Sequence, residues 1–372
     1  MAGPILLAAG GTGGHLFPAE ALAAALAAQG HGVHLATDER ATQYGKAFPA
    51  IAVHVIPSAT VSGRSPVAMA QAALRLGQGL VAAWGLMGRL RPAVVVGFGG
   101  YPTVPPLLAA AFRGIPTIIH EQNGVMGRAN RLLAGRARVI ATGFSTARGV
   151  ELGWSDRMVR TGNPVRPPVL AAAAIPYAPP EPGGPLNLVV FGGSQGARVM
   201  SDVVPPALEL LSPADRARLR LVQQVRAEDM GRVQDACARL GIAADLSSFF
   251  PDMPARIAAA HLVIARSGAS TVAELSVIGR PSILVPLPQS LDGDQAANAE
   301  MLSSIGAALV MPQADFTPRR LAQELAARLA DPAPLAAAAE AARSAGLPDA
   351  ADRLAEVVLR TAGLAPRPEI RR

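Results

Sequence analysis

Short apolar runs alternate with longer alanine- and leucine-rich stretches along most of the chain. The runs of the first half are ILLA, VHLAT, VHVIP, AVVVG, TIIH and RVIAT, and those of the second half are LNLVVF, LRLVQQV, LVIAR and SILVP. Continuous runs of this kind are typical of strands that are buried on both faces, and the stretches between them are typical of helices. The pattern therefore predicts an α/β protein built from parallel βαβ units.

A proline-rich segment separates the two series of strands. Eight prolines and an adjacent pair of glycines lie between Pro164 and Pro185, and such a composition disfavours both a helix and a central strand. A chain of 372 residues is also too long for one ordinary core. We therefore expect domains at 1–163 and 187–345, a linker at 164–186 and a separate C-terminal helix within 346–372.

The two halves repeat one motif. The segments LLAAGGTGGH (6–15) and VVFGGSQGAR (189–198) both read as strand, glycine loop and helix, which predicts two similar doubly wound domains. Neither loop is a standard nucleotide fingerprint, because the third glycine of G-x-G-x-x-G would fall at Leu16 and no Lys-Ser/Thr pair follows. Each loop alone is equally compatible with a tight turn and with a phosphate or sugar contact, and their recurrence favours a ligand.

Polar loops follow the ends of the apolar strands. They are GGTGGH, GFGGYP, HEQNG, GGSQGAR, RSGASTVAEL and PLPQSLDGDQAAN. Open α/β sheets bind ligands beyond the carboxyl ends of their strands, so two such sheets that face each other across a cleft would gather these loops at one site.

Several residues in these loops have two interpretations. His15 is either a residue of the helix cap or a functional residue of the site. Thr271 and Glu274 either form a T-x-x-E capping box, or Glu274 supplies a carboxylate that binds a ribose. The run from His120 to Asn123 would cost desolvation energy unless a ligand, water or the four side chains themselves satisfy it.

Composition narrows the class of protein. Half of the residues are hydrophobic and 16% are charged, as in a folded globular protein, and the single cysteine, Cys237, reads as a buried apolar residue in a reducing compartment. The N-terminus lacks a basic signal region, and no apolar run is long enough to span a membrane, so we expect a cytosolic protein.

Lys and Arg outnumber Asp and Glu by 34 − 27 = 7, which suits an anionic lipid or a phosphorylated substrate. With 4% aromatic residues and no nucleic-acid motif, we expect no nucleic-acid partner, and no ligand spacing predicts a metal.

The loops, taken in order, closely resemble the MurG family of GT-B glycosyltransferases. The stretches that carry the resemblance are GGTGGHLFPA, GFGGYPTVPPLLAA, HEQNGVMGRANRLLA, TGNPVR, FGGSQGAR, FFPDM, ARSGASTVAEL and Asp294 to Asn298. The resemblance implies two Rossmann-like domains and the transfer of N-acetylglucosamine (GlcNAc) from UDP-GlcNAc to the C4 hydroxyl of undecaprenyl-pyrophosphoryl-MurNAc-pentapeptide (lipid I). The product would be lipid II of peptidoglycan synthesis, made with inversion and without a metal or other cofactor.

Carried over residue by residue, the resemblance also implies a site. Phe250 would meet the uracil, Glu274 the ribose, and Asn123, Gln295 and Asn298 the GlcNAc hydroxyls. The remaining donor contacts would come from Thr12, Gly13, Gly14, Arg166, Ser194, Ala269, Ser270 and Thr271. Gly99, Gly100 and Tyr101 would lie on the acceptor side. His15 is the expected general base, with Glu121 or His120 as the rival.

A lipid acceptor requires a membrane-facing surface. The stretch 64–91 carries Met69, Leu76, Leu80, Trp84 and Met87 among Arg64, Arg75, Arg89 and Arg91, which suits an interfacial helix or an ordinary packed helix with snorkelling arginines. The resemblance favours the cytoplasmic face of the bacterial inner membrane and admits other cell-wall proteins as partners. The fold it implies often returns its last helix to the first domain.

Two other functions are compatible with the same architecture. One is a UDP-GlcNAc 2-epimerase, which needs no lipid acceptor, and the other is a catalytically silent membrane scaffold. The intact set of polar loop residues argues against the scaffold, which would have no physical reason to keep them.

Overall fold

The chain folds into two compact α/β units. The structure, a computed structural model, describes residues 3–39, 48–58, 65–145, 148–193 and 196–364. The first unit comprises residues 1–166 together with 348–372, and the second comprises 167–347. Each is a doubly wound parallel-sheet domain, which confirms the predicted fold class.

The first unit contains, among the described residues, a parallel sheet of seven strands. The strands are β1 (Ile5–Ala8), β2 (Val33–Thr37), β3 (Ala52–Val55), β4 (Val94–Gly97), β5 (Thr117–Glu121), β6 (Val139–Thr142) and β7 (Met158–Arg160), in the spatial order β3-β2-β1-β4-β5-β6-β7. The helices are α1 (Gly13–Ala28), α2 (Pro66–Leu90), α3 (Val104–Phe112), α4 (Arg128–Ala134) and the last helix of the chain, α14 (Ala350–Thr361).

Helices cover both faces of this sheet. On one face, Leu22 of α1 and Leu354 of α14 pack with Leu7 of β1 in a hydrophobic core. On the other, Met87 of α2 packs with Leu6, the neighbour of Leu7 on β1, and with α3 and α4. Because successive residues of a strand point to opposite faces, a strand covered on both sides must be apolar throughout, as β1 is.

The second unit repeats this plan with a parallel sheet of six strands in the described part of the chain. The strands are β8 (Leu186–Phe191), β9 (Leu219–Gln224), β10 (Ala243–Ser247), β11 (Leu262–Ala265), β12 (Ser282–Leu284) and β13 (Ala308–Val310), in the order β10-β9-β8-β11-β12-β13. The helices are α5 (Pro167–Ala173), α6 (Arg198–Glu209), α7 (Pro213–Arg218), α8 (Met230–Arg239), α9 (Met253–Ala259), α10 (Ala269–Ile278), α11 (Asp294–Ser303), α12 (Pro318–Ala330) and α13 (Ala333–Ala345). Cys237 lies in the core of this unit, which confirms its interpretation as a buried apolar residue.

The proline-rich segment contains a helix, so the expectation that its composition disfavours one is wrong at residues 167–173. Pro167 and Pro168 are the first two residues of α5, where a missing N–H removes no intrahelical bond. Val169 of α5 is fully buried, and the guanidinium of buried Arg280 donates to the carbonyl of Ile175 at 3.1 Å. These contacts join α5 and the residues after it to the rest of the second unit.

Candidate active site

Three loops of the first unit leave the same edge of its sheet. They follow β1, β4 and β5, which are adjacent in the order β1-β4-β5 and parallel. The loop after β1 holds Thr12 to Gly14, the loop after β4 holds Gly99 to Tyr101, and the loop after β5 holds Gln122 to Gly127. The carboxyl edge of this sheet therefore collects the first-domain residues that the sequence predicted.

The first glycine loop is fixed by a carboxylate from the neighbouring strand. Buried Asp38, directly after β2, accepts a hydrogen bond from the N–H of Gly11 at 3.0 Å, and Gly11 has φ of 84°. A Cβ on Gly10 would lie 2.8 Å from the same carboxylate oxygen, so the loop passes too close to Asp38 for a side chain. Thr12 then becomes the exposed N-cap of α1, and Gly14 in its first turn is also exposed.

His15 contacts the second glycine loop. A Cβ built on Gly100 would lie 3.2 Å from Cδ2 of the imidazole, and one on Gly99 would lie 3.4 Å from Cε1. Gly99 has a φ of 82° and Gly100 a φ of 75°, and residues other than glycine rarely adopt such positive values. The partly buried imidazole thus lies against the backbone of Gly99 and Gly100 in the loop after β4. Tyr101 follows at the start of a short 3₁₀ helix, Tyr101–Thr103.

His120 is fully buried, and both of its ring nitrogens have partners. Nε2 lies 3.0 Å from the carbonyl oxygen of Gly162, and Nδ1 lies 3.2 Å from Nε2 of Gln122. Desolvation lowers the pKa of His120 to about 4, against an opposing contribution from the Gly162 carbonyl. The ring is therefore neutral at physiological pH, donating from Nε2 and accepting at Nδ1.

The Glu121 carboxylate is buried and accepts four hydrogen bonds. Oε1 accepts from the backbone N–H of Asn123 at 2.9 Å and from its side-chain amide at 3.2 Å. Oε2 accepts from the N–H of Gly127 and from the amide of Asn130, both at 2.8 Å. Glu121 thus organises the loop that leads into α4 and orients the partly exposed Asn123.

Arg166 lies against α1 in the first unit. The carbon at the centre of its guanidinium is 3.8 Å from the centroid of the Phe17 ring, one turn after the glycine loop begins the helix. Desolvation raises the pKa of Glu20 on the same helix, and the positive charge of Arg166 opposes that shift.

The glycine loop after β8 begins the site of the second unit. Gly193 and Gly196 have φ of 88° and 69°, and a Cβ on Gly192 would lie 2.2 Å from the backbone nitrogen of Ala197. The backbone at Ala197 thus comes so close to Gly192 that only glycine fits at this position. Ser194, for which the sequence predicted a pyrophosphate contact, lies outside the described residues.

Phe250 lies buried beyond the end of β10 and is covered by an arginine. The guanidinium carbon of Arg256 is 4.2 Å from the ring centroid. Two carboxylates hold that guanidinium, since Arg256 donates to Asp252 at 2.9 Å and to Asp245 at 2.5 Å. The hydrogen bond from Arg256 is the main cause that lowers the pKa of Asp252.

The capping-box interpretation of Thr271 and Glu274 is wrong. The N-cap of α10 is Gly268, so Thr271 is the third residue of the helix and Glu274 lies in its second turn. A capping box requires the threonine at the N-cap and the glutamate three residues later in the first turn. Buried Ala269 and partly buried Ser270 form the start of the helix, and the partly exposed Glu274 carboxylate has no part in capping it.

The residues predicted on α11 support the loop before α10. The hydroxyl of Ser267 donates to the carbonyl of Gln295 at 2.8 Å, and the amide of Asn298 donates to the carbonyl of Ser267 at 3.1 Å. Asn298 is fully buried, whereas Gln295 is partly exposed and accepts a bond from the N–H of Leu287 at 3.0 Å. The side-chain amide of Asn298 and the main-chain carbonyl of Gln295 therefore join α11 to the loop before α10.

Sequence reasoning missed a buried positive charge beside this loop. Arg266 directly follows β11 and donates to the carbonyls of Val285 and Pro286 and to the side-chain oxygen of Gln313, all uncharged acceptors. Burial lowers the pKa of its guanidinium. The signal in the sequence was an arginine immediately after an apolar strand, at the edge where ligands bind.

The structure corrects the expected apolar face of α2. Met87 belongs to the core, with 1% of its surface exposed, and Leu76 and Leu80 are half-buried. The large apolar side chains that face solvent are Met69, Leu74, Val81 and Trp84 of α2, together with Phe112 of the neighbouring α3. Arg64 lies outside the described residues. Across the described part of the chain, no helix is long and apolar enough to cross a membrane, and no cluster of three or more His, Cys, Asp or Glu side chains is arranged to hold a metal.

Models of one enzyme family match both units. The N-terminal domain of glycosyltransferase family 28 matches residues 5–142, and its C-terminal domain matches residues 187–354. The chain belongs to glycosyltransferase family 28.

Relatives with assigned names match this chain over nearly its whole length. A protein of a Methylobacterium species (strain 4-46) is 62% identical over 96% of both chains and is named a UDP-N-acetylglucosamine–N-acetylmuramyl-(pentapeptide) pyrophosphoryl-undecaprenol N-acetylglucosamine transferase. A protein of the same name from Rhodopseudomonas palustris is 59% identical over 96% of this chain and 98% of its own length. The crystal structure of Acinetobacter baumannii MurG superimposes with a TM-score of 0.77 at 28% identity, over 96% of this chain and 99% of that one. The resemblance noted in the sequence is therefore confirmed.

Proposed function

We propose that this protein transfers GlcNAc from UDP-GlcNAc to the C4 hydroxyl of lipid I and so forms lipid II. The observation that carries the proposal is the 62% identity, over 96% of both chains, to a relative named for this transfer. The loops at the carboxyl edge of each sheet supply groups that suit the reaction. We assign the acceptor chemistry to the first unit and most donor contacts to the second.

We assign the general base to His15. In a single inverting displacement the C4 oxygen of the acceptor bonds to C1 of GlcNAc, and its proton passes to the base. The bond from C1 to the phosphate oxygen breaks, and its electron pair leaves with UDP. His15 is partly exposed at the start of α1. His120 and Glu121 are buried, with 0% and 1% of their surfaces exposed, and their side chains hydrogen-bond to the chain around them. Those two residues instead support the loops around His15.

Positive charge and backbone N–H groups would stabilise the departing UDP. The first turn of α10, at Ala269 to Thr271, presents N–H groups that suit a phosphate, and the helix dipole favours negative charge there. The buried charge of Arg266 lies two residues before the N-cap of this helix, and we propose that Arg166 adds a second cation. We therefore expect turnover to persist in EDTA.

We retain most of the donor assignments and change one. The backbone of Phe250 would meet uracil, Glu274 the ribose hydroxyls, and Asn123 and Gln295 the sugar hydroxyls, with Thr12, Gly13 and Gly14 nearby. Asn298 is fully buried, so we propose that it positions Gln295 and the α10 loop and does not itself contact the sugar. Gly99, Gly100 and Tyr101 would serve the acceptor side.

The test of the proposed function is UDP release with a short-chain lipid I analogue, with and without EDTA. We expect release that depends on the acceptor and survives EDTA. Epimerised sugar nucleotide from UDP-GlcNAc alone would instead indicate a 2-epimerase, and no turnover of either kind would favour the scaffold.

Replacing His15 by Ala tests the assignment of the base. A positioned general base contributes about 10²-fold or more to turnover, so we expect kcat at saturating UDP-GlcNAc to fall by about that factor. His31→Ala is the matched control, because His31 lies beyond the far end of α1 at the opposite edge of the sheet. A loss of less than about tenfold in His15→Ala would remove His15 from this role.

We also propose that the first unit binds the cytoplasmic face of the bacterial inner membrane through an α2–α3 apolar surface, formed by Leu74, Val81, Trp84 and Phe112. These side chains are exposed, Val81 by 75%. Arginines flank two of them, because Arg113 lies 4.1 Å from the ring centroid of Trp84 and Arg136 lies 5.6 Å from that of Phe112. An apolar surface bordered by arginine suits an anionic lipid headgroup region.

A further inference from the structure

Two adjacent buried glutamines end strand β9, and only one of them has side-chain hydrogen bonds to the described part of the chain. The side-chain oxygen of Gln224 accepts from the N–H of Gly192 at 3.1 Å, and its amide donates to the carbonyl of Ser248 at 3.3 Å. Gln223 is 0% exposed, and neither its amide nitrogen nor its oxygen has a hydrogen-bond partner among the described residues. Successive strand residues point to opposite faces, so the two side chains occupy different sides of the sheet.

The two partners of Gln224 belong to different loops of the candidate donor site. Gly192 opens the glycine loop after β8, and Ser248 lies two residues before Phe250 in the loop after β10. Strand β9 separates these loops, because the sheet order is β10-β9-β8. One side chain at the end of the middle strand therefore ties together the loops on either side of it.

The glycine loop depends on such an anchor. Gly192 and Gly193 carry no side chain, and the backbone at Gly192 approaches Ala197 too closely to admit one. Gly192 and Gly193 therefore cannot be held by side-chain packing of their own, and the bond from Gly192 to Gln224 supplies a fixed point. On the other side, the Ser248 carbonyl that Gln224 binds lies two residues before the buried Phe250.

We propose that Gln224 is a positioning residue that sets the spacing between the glycine loop after β8 and the loop that holds Phe250, the residue assigned to the uracil. The inference rests on the proposed function, in which a single ligand, UDP, must reach both loops at once. Removing the bridge leaves each loop able to move separately, so the donor loses affinity while the chemical step is preserved.

Gln224→Met tests the bridge with a side chain of similar shape. Without these two hydrogen bonds, donor binding must also bring the two loops into place, and we expect this cost to weaken binding by about tenfold. We expect the Kd for UDP and the KM for UDP-GlcNAc to rise by about that factor, and kcat and the KM for the lipid I analogue to stay within about twofold. Gln223→Met is the matched control: it removes a buried amide that makes no hydrogen bond, so the Kd for UDP should not change and the thermal midpoint should hold or rise.

Gln224→Glu adds a readout that a purely structural role would not move. When protonated, the introduced carboxyl can accept from Gly192 and donate to Ser248, as the amide does. When ionised, it places a negative oxygen against the Ser248 carbonyl. Burial raises the pKa of such a carboxyl, so the ratio of variant to wild-type Kd for UDP should approach one at low pH and increase as pH rises.

The outcomes separate this inference from the proposed function. Equal Kd values for UDP in Gln224→Met and Gln223→Met, or a pH-independent ratio for Gln224→Glu, would overturn the role of Gln224 even if the wild type transfers GlcNAc. Absence of transfer by a wild type that binds UDP with the predicted dependence on Gln224 would overturn the proposed function alone. Circular dichroism establishes that each variant is folded before binding is measured.

Discussion

Burial of the His120 imidazole makes the first unit sensitive to acid. Its pKa is about 4 in the folded protein against an ordinary value of 6.5, so only the unfolded chain takes up the proton between those values. The free energy of unfolding should therefore fall as pH decreases from about 6.5 to about 4, by about 3 kcal/mol, and His120 should add no further loss below that range. His120→Gln lacks this titration, and its stability should depend less on pH.

Tryptophan fluorescence during urea unfolding measures this effect. The chain has two tryptophans, Trp84 and Trp154, and both belong to the first unit. Burial also lowers the pKa of His34 and His54, but these groups act equally in both proteins, so the difference isolates His120. Equal pH slopes in wild type and His120→Gln would contradict the assignment.

The sequence identified candidate site residues but not the role that each one has. The order of the loops placed His15, His120 and Glu121 at strand ends, where a ligand binds. It could not distinguish the partly exposed His15 from the buried His120 and Glu121, because the partner of His120 at Gly162 lies 42 positions away. Asp38, Arg266 and Gln224 were missed for the same reason, since their partners come from loops of neighbouring strands.

At the scale of elements, the central strands and one outer strand followed from the sequence, and the other outer strands did not. The apolar runs predicted β1, β2 and β8 with their observed bounds, and the run VHVIP predicted the outer strand β3. The runs missed β7, β10 and β13, which are the other outermost strands of the two sheets and are partly exposed along their length. An edge strand is covered less than a central one, so it needs no continuous apolar run.

The exposed side of α2 gives a prediction for an entire element. Val81→Glu places a carboxylate in the middle of the α2–α3 apolar surface, where insertion among lipids would bury its charge. We expect cosedimentation with vesicles that contain anionic lipid to fall by about tenfold, since a buried charge costs more than the ~1.4 kcal/mol that this factor requires.

A matched control separates this effect from general loss of hydrophobicity. Leu210→Glu changes a residue of the second unit that is 60% exposed, and vesicle binding should not change. Soluble-phase UDP binding should be preserved in both variants. Vesicle binding by Val81→Glu at the wild-type level, or equal losses in both variants, would contradict the membrane role of this surface.

At the scale of the whole molecule, the chain returns to its first unit at its end. Residues 348–372 belong to the unit that residues 1–166 form, and α14 packs beside α1 in the core below β1 and β4. The sequence predicted a helix within 346–372. Only the known behaviour of the fold suggested where it packs, because an amphipathic helix does not specify which apolar surface covers it.

This connection makes the stability of the first unit depend on residues at the far end of the sequence. Leu354 of α14 is fully buried among residues of α1 and the first sheet, so Leu354→Ala should lower the free energy of unfolding of that unit by about 3 kcal/mol. The urea transition of the two tryptophans should move to lower denaturant accordingly. Leu325→Ala removes an equally buried leucine from the core of the second unit and should shift the tryptophan transition less. An unchanged tryptophan transition in Leu354→Ala would mean that α1 and the first sheet are stable without the contact that α14 provides.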